Sequence, residues 1–316
     1  SWNRVKNGKE IGDLIAKILQ DFNYQNPSKS IPELIKVYSL IEKIDDLHWK
    51  KIKLEEVKKI ISACSGLYLE AVSTQQEVTP GENIKIKLES INRSSSKMVL
   101  KSINATNLSS IIYKPIILNN NQLITQTIDF QINSDEKFTQ PYYLEKEGSV
   151  GMYSVSNQKQ IGIPDVIRNC KVFFTIEIEG KEFIFEKEIV YKYNDDVKGE
   201  VYQPLDIVPI ATTSIKEKVY LFTNNKEKQI SISIKAGKND VSGTITLDLP
   251  DGWKSAPEKQ SFTIEKKGET QEISFFVTPS KEDSDGYIKS NIEIENQIFD
   301  KEKIDKISDR IKYKAD

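Results

Sequence analysis

The strongest constraint in this sequence is a two-residue rhythm. "NIKIKLESI", Asn83 to Ile91, puts Ile84, Ile86 and Leu88 on one side of an extended chain and Lys85, Lys87 and Glu89 on the other. "CKVFFTIEIEGKEFIFEKEIVYKY" repeats the pattern: Cys170, Val172, Phe174, Ile176 and Ile178 share a face, Gly180 turns the chain, and Phe183, Phe185 and Ile189 follow. A helix would scatter such residues around its circumference, whereas a half-buried strand needs them at alternate positions. Further strand-like segments lie near 98–105, 110–118 and 123–132. Together they predict one antiparallel sandwich over 71–198, with no helix interposed as a βαβ unit would require.

The rhythm returns further on. "QISISIKA" offers Ile230, Ile232 and Ile234, and "GTITLDLP" offers Ile245, Leu247 and Leu249. "SFTIEKKGETQEISFFVTP" reads as a hairpin across Lys267-Gly268, with Phe262, Ile264, Ile273, Phe275 and Val277 facing one way. Six or seven short strands at this spacing predict a second sandwich, immunoglobulin-like, over 199–316. The polar stretch "NDDVKGEVYQPLDIVP" breaks the pattern between them, and a domain junction is expected between Asn194 and Gln203.

The first 70 residues keep a different period. Ile11, Leu14, Ile15, Ile18, Leu19 and Phe22 recur at steps of three and four, as on one face of a helix. A second helix restarts after "NPSKS", with Ser30 as N-cap, Glu33 completing a capping box and Pro32 in the first turn. Leu34, Ile35, Tyr38 and Ile41 make its stripe. A third helix is expected over Leu47–Cys64, with Leu54, Val57, Ile60 and Ile61 on one face and Gly66 as its stop. These stripes need a partner, and the neighbouring sandwich can supply it. The expected fold class is mostly β: a short N-terminal helical segment (1–70) followed by two immunoglobulin-like antiparallel β-sandwiches (71–198 and 199–316).

Composition narrows the function classes. The chain has 316 residues, enough for two or three cores. Its formal net charge of -2 argues against nucleic-acid binding, and no apolar run approaches the length of a membrane span. The two cysteines, Cys64 and Cys170, are far apart and read as small buried hydrophobes rather than a disulfide or thiolate site. The chain starts at Ser-Trp without an initiator Met, which reads as a piece of something longer.

The sequence holds few groups suited to catalysis. The one histidine, His48, rules out a multi-histidine zinc site, and Asp45 and Asp46 beside it read as caps of a helix start. No phosphate loop follows "EGSVGMYS", and "SKEDSDG" lacks the alternating ligands of a calcium loop. No cofactor is expected. Three Asn-x-Ser/Thr sequons start at Asn92, Asn104 and Asn107. Aromatic residues Tyr142, Tyr143, Tyr153, Tyr202 and Trp253 are candidate sugar contacts, although Trp253, ending a strand in "LPDGWK", is expected to plug one end of the second sandwich. An enzyme working through carboxylates alone would need two of them facing each other roughly 5–10 Å apart.

One stretch fits no strand or helix: "QPYYLEKEGSVGMYSVSNQKQIGIPD", Gln140 to Asp165. Taken with "SWNRV", "LYLEA", "PGENIKIKLESINRS" and "GEVYQPLDIVP", it resembles the region downstream of the catalytic domain in long bacterial PIG-L (LmbE-like) deacetylases of Bacteroidetes type. The resemblance covers nearly the whole chain, and its family usually has Trp where this chain has Tyr143. The last segment, with "LPDGWKSAP", is also similar to the NPCBM-associated immunoglobulin-like domain of bacterial alpha-galactosidases. The family's zinc site rests on a His-Pro-Asp-Asp motif and a later His-x-x-His, and neither occurs here. The resemblance therefore implies an accessory, non-catalytic region of a zinc-dependent N-acetylglucosaminyl deacetylase, in a periplasmic or extracellular bacterial setting. Its expected partner is the catalytic domain of the same parent protein. Tyr142, Tyr143, Met152 and Tyr153 are the candidate docking residues. The alternative is a carbohydrate-binding module.

Overall fold

A computed structural model of the protein describes residues 2–106, 108–111, 114–146, 148–163, 166–282 and 284–302. It is mostly β, with three short α-helices at the start. The chain divides into two compact units. The first is Ser1–Gln76, Asn83–Ile132 and Pro141–Leu205; the second is Glu77–Glu82, Asn133–Gln140 and Asp206–Asp316.

The first unit begins with α1 (Gly8–Gln20), α2 (Ile31–Ile41) and α3 (Leu47–Cys64). Gly8 is required because a Cβ there would meet the carbonyl oxygen of Trp2 at 2.2 Å. Ser30 does precede α2, but its side chain makes no capping bond. A 3-10 turn over Pro27–Ser30 runs straight into the helix and holds Ser30 at φ −81°, ψ −11°, helical rather than extended, so the expected capping box does not form. Asp46 does cap α3, accepting from Trp49 N–H at 3.0 Å. Gly66 ends that helix at φ +58°, where a side chain would be strained and would press on Arg93. Ile11, Leu34, Val37, Ile41, Val57 and Ile61 are buried. Leu19 and Ile60 are exposed at the margins of their stripes, and Cys64 is only half-buried, contrary to the sequence expectation.

The strands of this unit are β1 (Tyr68–Ser73), β3 (Asn83–Ile91), β4 (Met98–Ala105), β5 (Leu108–Ile111), β6 (Ile116–Ile117), β7 (Leu123–Gln131), β8 (Lys171–Ile178), β9 (Lys181–Glu188), β10 (Val190–Asp195) and β11 (Gly199–Pro204); β2 (Glu77–Val78) belongs to the other unit. One sheet runs β11-β10-β1-β3-β7 and the other β5-β4-β8-β9, with β6 also on β4. Ile84, Ile86, Leu88, Ile128 and Phe130 line one inner face; Val172, Phe174, Ile176 and Ile178 line the other. A bulge between Leu100 and Ser102 lets both Met98/Leu100 and Ile103/Ala105 point inward. The helices attend to β9, the edge of its sheet. Tyr38 meets Phe183 edge-on at 5.0 Å, and Lys58 donates to the Ile184 carbonyl, occupying an edge acceptor that would otherwise invite another strand.

Two sequence expectations need correction here. The segment 194–203 is not a junction: β10 and β11 pair antiparallel through it, from Val190↔Pro204 to Asp195↔Gly199. Nor is the fold wholly antiparallel, since β1 pairs β10 in parallel.

The second unit contains β2, β12 (Asp206–Ile207), β13 (Ala211–Ile215), β14 (Lys228–Ala236), β15 (Val241–Asp248), β16 (Lys254–Ala256), β17 (Lys259–Ile264), β18 (Thr270–Thr278), β19 (Lys289–Ile294) and β20 (Gln297–Phe299). Its sheets run β13-β14-β18-β16 and β17-β15-β19-β20 around one core of Ile230, Ile232, Ile234, Ile245, Phe262, Phe275, Val277 and Ile292. In both sandwiches the first, second and fifth main strands form one sheet (β1-β3-β7; β13-β14-β18). The third, sixth and seventh form the other (β4-β8-β9; β15-β19-β20). That is the immunoglobulin arrangement. A separate parallel pair, β2 with β12, matches Val78 to Ile207.

Candidate functional site

In the first unit, the connection between β7 and β8 carries the aperiodic stretch. It orders itself locally. Pro141 leads into a 3-10 turn at Tyr142–Leu144. The rings of Tyr142 and Tyr143 meet edge-on at 5.4 Å, and Tyr143 packs on Tyr153 at 5.0 Å. The Tyr142 hydroxyl accepts from Gly162 N–H at 3.2 Å, tying the two ends of the loop. Between them Ser149 and Met152 exchange two backbone hydrogen bonds, of 3.0 and 3.1 Å, around a tight turn. Tyr142 and Tyr143 are half-buried by this packing. Met152 and Tyr153 are 71% and 68% exposed, and Val150, Leu144 and Ile161 are exposed beside them. The sequence singled out the rings and Met152 but not these three aliphatics, although they lie in the same glycine-broken stretch. Pro164 and Asp165, at its end, lie outside the described residues.

A second polar assembly lies on the outer face of the same unit and was not foreseen. Register places Glu70 of β1 opposite Glu89 of β3, both nearly buried. Lys192 bridges Glu70 at 3.0 Å and Glu200 at 3.4 Å, while Lys87 pairs with Glu89. Burial, then hydrogen bonding to Glu70, pushes the Tyr68 phenol well up. The Tyr202 phenol, bonded to Glu200, is pushed up to about 12. Each carboxylate of the facing pair has a lysine, so this arrangement neutralises charge and pins three strands together.

In the second unit, three loops surround an open cleft of about 930 Å3: 216–227, 249–253 and 279–288, Asp283 excepted. Trp253 lines it, half-buried. Its indole N–H donates to Ser284 Oγ at 3.0 Å, and its ring meets Phe222 edge-on at 4.8 Å. It packs on the core end of the sandwich, where the sequence expected a plug. Tyr287, also lining the cleft, is 87% exposed. Below, Thr213 and Ser290 share a buried hydrogen bond of 2.8 Å. Sequence reasoning found only Trp253, because the other walls come from loops far apart in the chain.

The described residues do not assemble a zinc site like the one that the resemblance places in the separate catalytic domain. His48 is exposed in the first turn of α3, and Asp46 is committed to capping that helix. Among the described residues no three of His, Cys, Asp and Glu gather as a metal-binding group, and no helix is long and apolar enough to cross a membrane.

No protein-family model matches this chain, and no curated protein does. Among solved structures it is similar to Escherichia coli alpha-2-macroglobulin activated by porcine elastase, at 8% identity and a TM-score of 0.24, over 72% of this chain and 20% of that one. A mutant Salmonella alpha-2-macroglobulin gives 10% identity and a TM-score of 0.22, over 75% of this chain and 16% of that one. The chain thus spans a fifth or less of either length, and likenesses this distant carry no argument about its function.

Proposed function

We propose that this chain is a non-catalytic structural and interaction region of a zinc-dependent PIG-L-like N-acetylglucosaminyl deacetylase. In this reading the catalytic domain lies elsewhere in the same parent protein, which works in the periplasm or outside a bacterial cell. The chain itself brings no cofactor and no catalysis. The single observation behind the reading is the Met152–Tyr153 face. An ordered loop that keeps its own hydrogen bonds yet holds Met152 and Tyr153 out to solvent spends apolar area that a free surface would hide. Aromatic residues and methionine are enriched at the centres of interfaces. The half-buried Tyr142 and Tyr143 buttress the exposed pair from below.

Two tests address this reading. The coding sequence preceding that for Ser1 should carry a His-Pro-Asp-Asp motif; an uninterrupted upstream region without it removes the deacetylase assignment. In the parent protein, Met152→Ser with Tyr153→Ser should weaken association with the catalytic domain by about tenfold or more, the scale of a lost interface anchor. Unchanged association in a folded double variant would sink the docking role. A carbohydrate-binding module is the second reading, favoured by the aromatic cleft beside Trp253.

A further inference from the structure

We infer that the cleft at the loop end of the second sandwich is a binding site for a short neutral oligosaccharide, with Tyr287 and Trp253 as its stacking walls. The inference rests on the carbohydrate-binding reading of this cleft and stands whether or not the chain belongs to a deacetylase.

Size comes first. A volume of about 930 Å3 lies within the range of pockets that hold small ligands, about 300–1,000 Å3. Position comes next. The walls are mostly loops joining strands, at the end of the sandwich, together with Thr213–Ile215 of the edge strand β13, whose Thr213 N–H is already bonded to the Lys301 carbonyl at 3.0 Å. The chemistry of the walls is mixed in the way a sugar requires. A pyranose ring has one face of C–H groups and a rim of hydroxyls. The C–H face lies against the electron-rich face of an aromatic ring, and the hydroxyls seek donors and acceptors.

Trp253 is prepared for this role. Its N–H is already bonded to Ser284 and its ring packs perpendicular to that of Phe222, so the indole is fixed before any ligand arrives. A fixed wall loses little entropy on binding. Tyr287 stands on the rim with 87% of its surface in water, an exposure that core packing does not explain. Around the rings stand Ser280, Asn224 and Asn225, whose side chains supply hydroxyl and amide groups at the cleft surface.

Charge then selects among sugars. The lining holds five carboxylates (Glu217, Glu282, Asp285, Asp300, Glu302) and three lysines (Lys218, Lys281, Lys289). Lys218 is bound to Glu302 at 2.8 Å. This excess of acid repels uronic and sialic acids, and among the described residues no arginine lines the cleft to hold a carboxylate or sulfate in bidentate fashion.

The test uses the full chain and three neutral hexasaccharides: maltohexaose, cellohexaose and hexa-N-acetylchitohexaose. The reporter is the indole N–H signal of Trp253 in a ¹H–¹⁵N spectrum, assigned by its loss in Trp253→Phe. At least one sugar should move that signal saturably at millimolar concentrations. Tyr287→Ala, at an exposed position that leaves the fold intact, should weaken that binding about tenfold or more. Trigalacturonate should not bind. The proposal is overturned if no hexasaccharide moves the Trp253 signal, or if Tyr287→Ala binds as tightly as the parent. It is equally overturned if the acidic sugar binds best, or if a mixed peptide digest moves the signal and no sugar does.

Discussion

Asn92 shows how much one side chain can hold. Its amide donates to the carbonyls of Ser96 at 2.9 Å and Leu118 at 3.0 Å, while its oxygen accepts from the backbone N–H and the hydroxyl of Ser94, each at 2.9 Å. The residue is 1% exposed. The sequence offers Asn92 as a glycosylation acceptor, but the folded chain keeps its nitrogen away from any enzyme and fully bonded. Asn92→Ala would strand two buried carbonyls, at about 1–3 kcal/mol for each group left without a partner, so a loss of about 2–4 kcal/mol is expected after some relaxation. Asn92→Asp is the sharper variant. It keeps the acceptor for Ser94 but has no donor for Ser96 and Leu118, so it should destabilise as well. Urea unfolding of both variants checks this. A neutral Asn92→Asp would show that the two carbonyl bonds contribute nothing.

At the scale of elements, the strands that alternate cleanly in sequence are the strands whose one face is buried. Ile230, Ile232 and Ile234 or Val172, Phe174, Ile176 and Ile178 could be placed by eye because burial and side-chain period coincide. The β10–β11 hairpin could not, since neither of its faces is fully buried and polar groups do the work of apolar ones. Asp195 turns it by accepting from Lys198 and Val197 N–H groups at 2.8 and 2.9 Å. Those bonds hold its carboxyl below the usual range, Lys198 contributing most. The hydrogen bond from Tyr202, then the contact with Lys192, does the same for Glu200. Groups with lowered folded values contribute above the ordinary carboxylate range, about 4, and lose that contribution as pH falls through the lowered values. Lys192 is raised, chiefly by its bond to Glu70, so its share is present below about 10.5 and is lost only as pH rises beyond that. The hairpin should therefore open on acidification below about pH 4 before β14 and β18, which rest on buried isoleucines. Amide-exchange protection of β11 measured against β14 reads this directly. Equal loss in both would mean that these side chains do not govern the hairpin. The aromatic loop was legible for the opposite reason, as a failure of any period. Which of its rings would face water was not, because that follows from Tyr143 packing on Tyr153 rather than from spacing.

At the scale of the whole molecule, the chain does not run through its units one after the other. The second unit collects Glu77–Glu82 and Asn133–Gln140 from the middle of the first stretch of sequence. No periodicity could announce this, since β2 is two residues long and 133–140 has no strand. Yet both pieces make specific bonds. Val208 N–H donates to the Val78 carbonyl at 2.8 Å, and Thr139 and Ile207 exchange bonds of 2.9 and 2.8 Å. Glu82 meets Lys267 at 3.2 Å. Val78 is fully buried, and Ile207 and Val208 nearly so. The core of the sandwich, by contrast, lies wholly between Ala211 and Ile294. A fragment of residues 206–316 should therefore fold cooperatively on its own core, but below the stability of the same unit in the full chain. Losing the cover over Ile207 and Val208 alone costs about 1.5–3 kcal/mol, the worth of one buried aliphatic side chain. In the full chain, Val78→Ala should reproduce part of the deficit, lowering the second unit by about 1–2 kcal/mol while leaving the first unchanged. Calorimetry of the fragment and of the variant measures both. A fragment that fails to fold would mean the isoleucine core is insufficient by itself. A fragment as stable as the unit in the full chain would mean that the inserted segments bind without stabilising, and that the two-unit division carries no energetic weight.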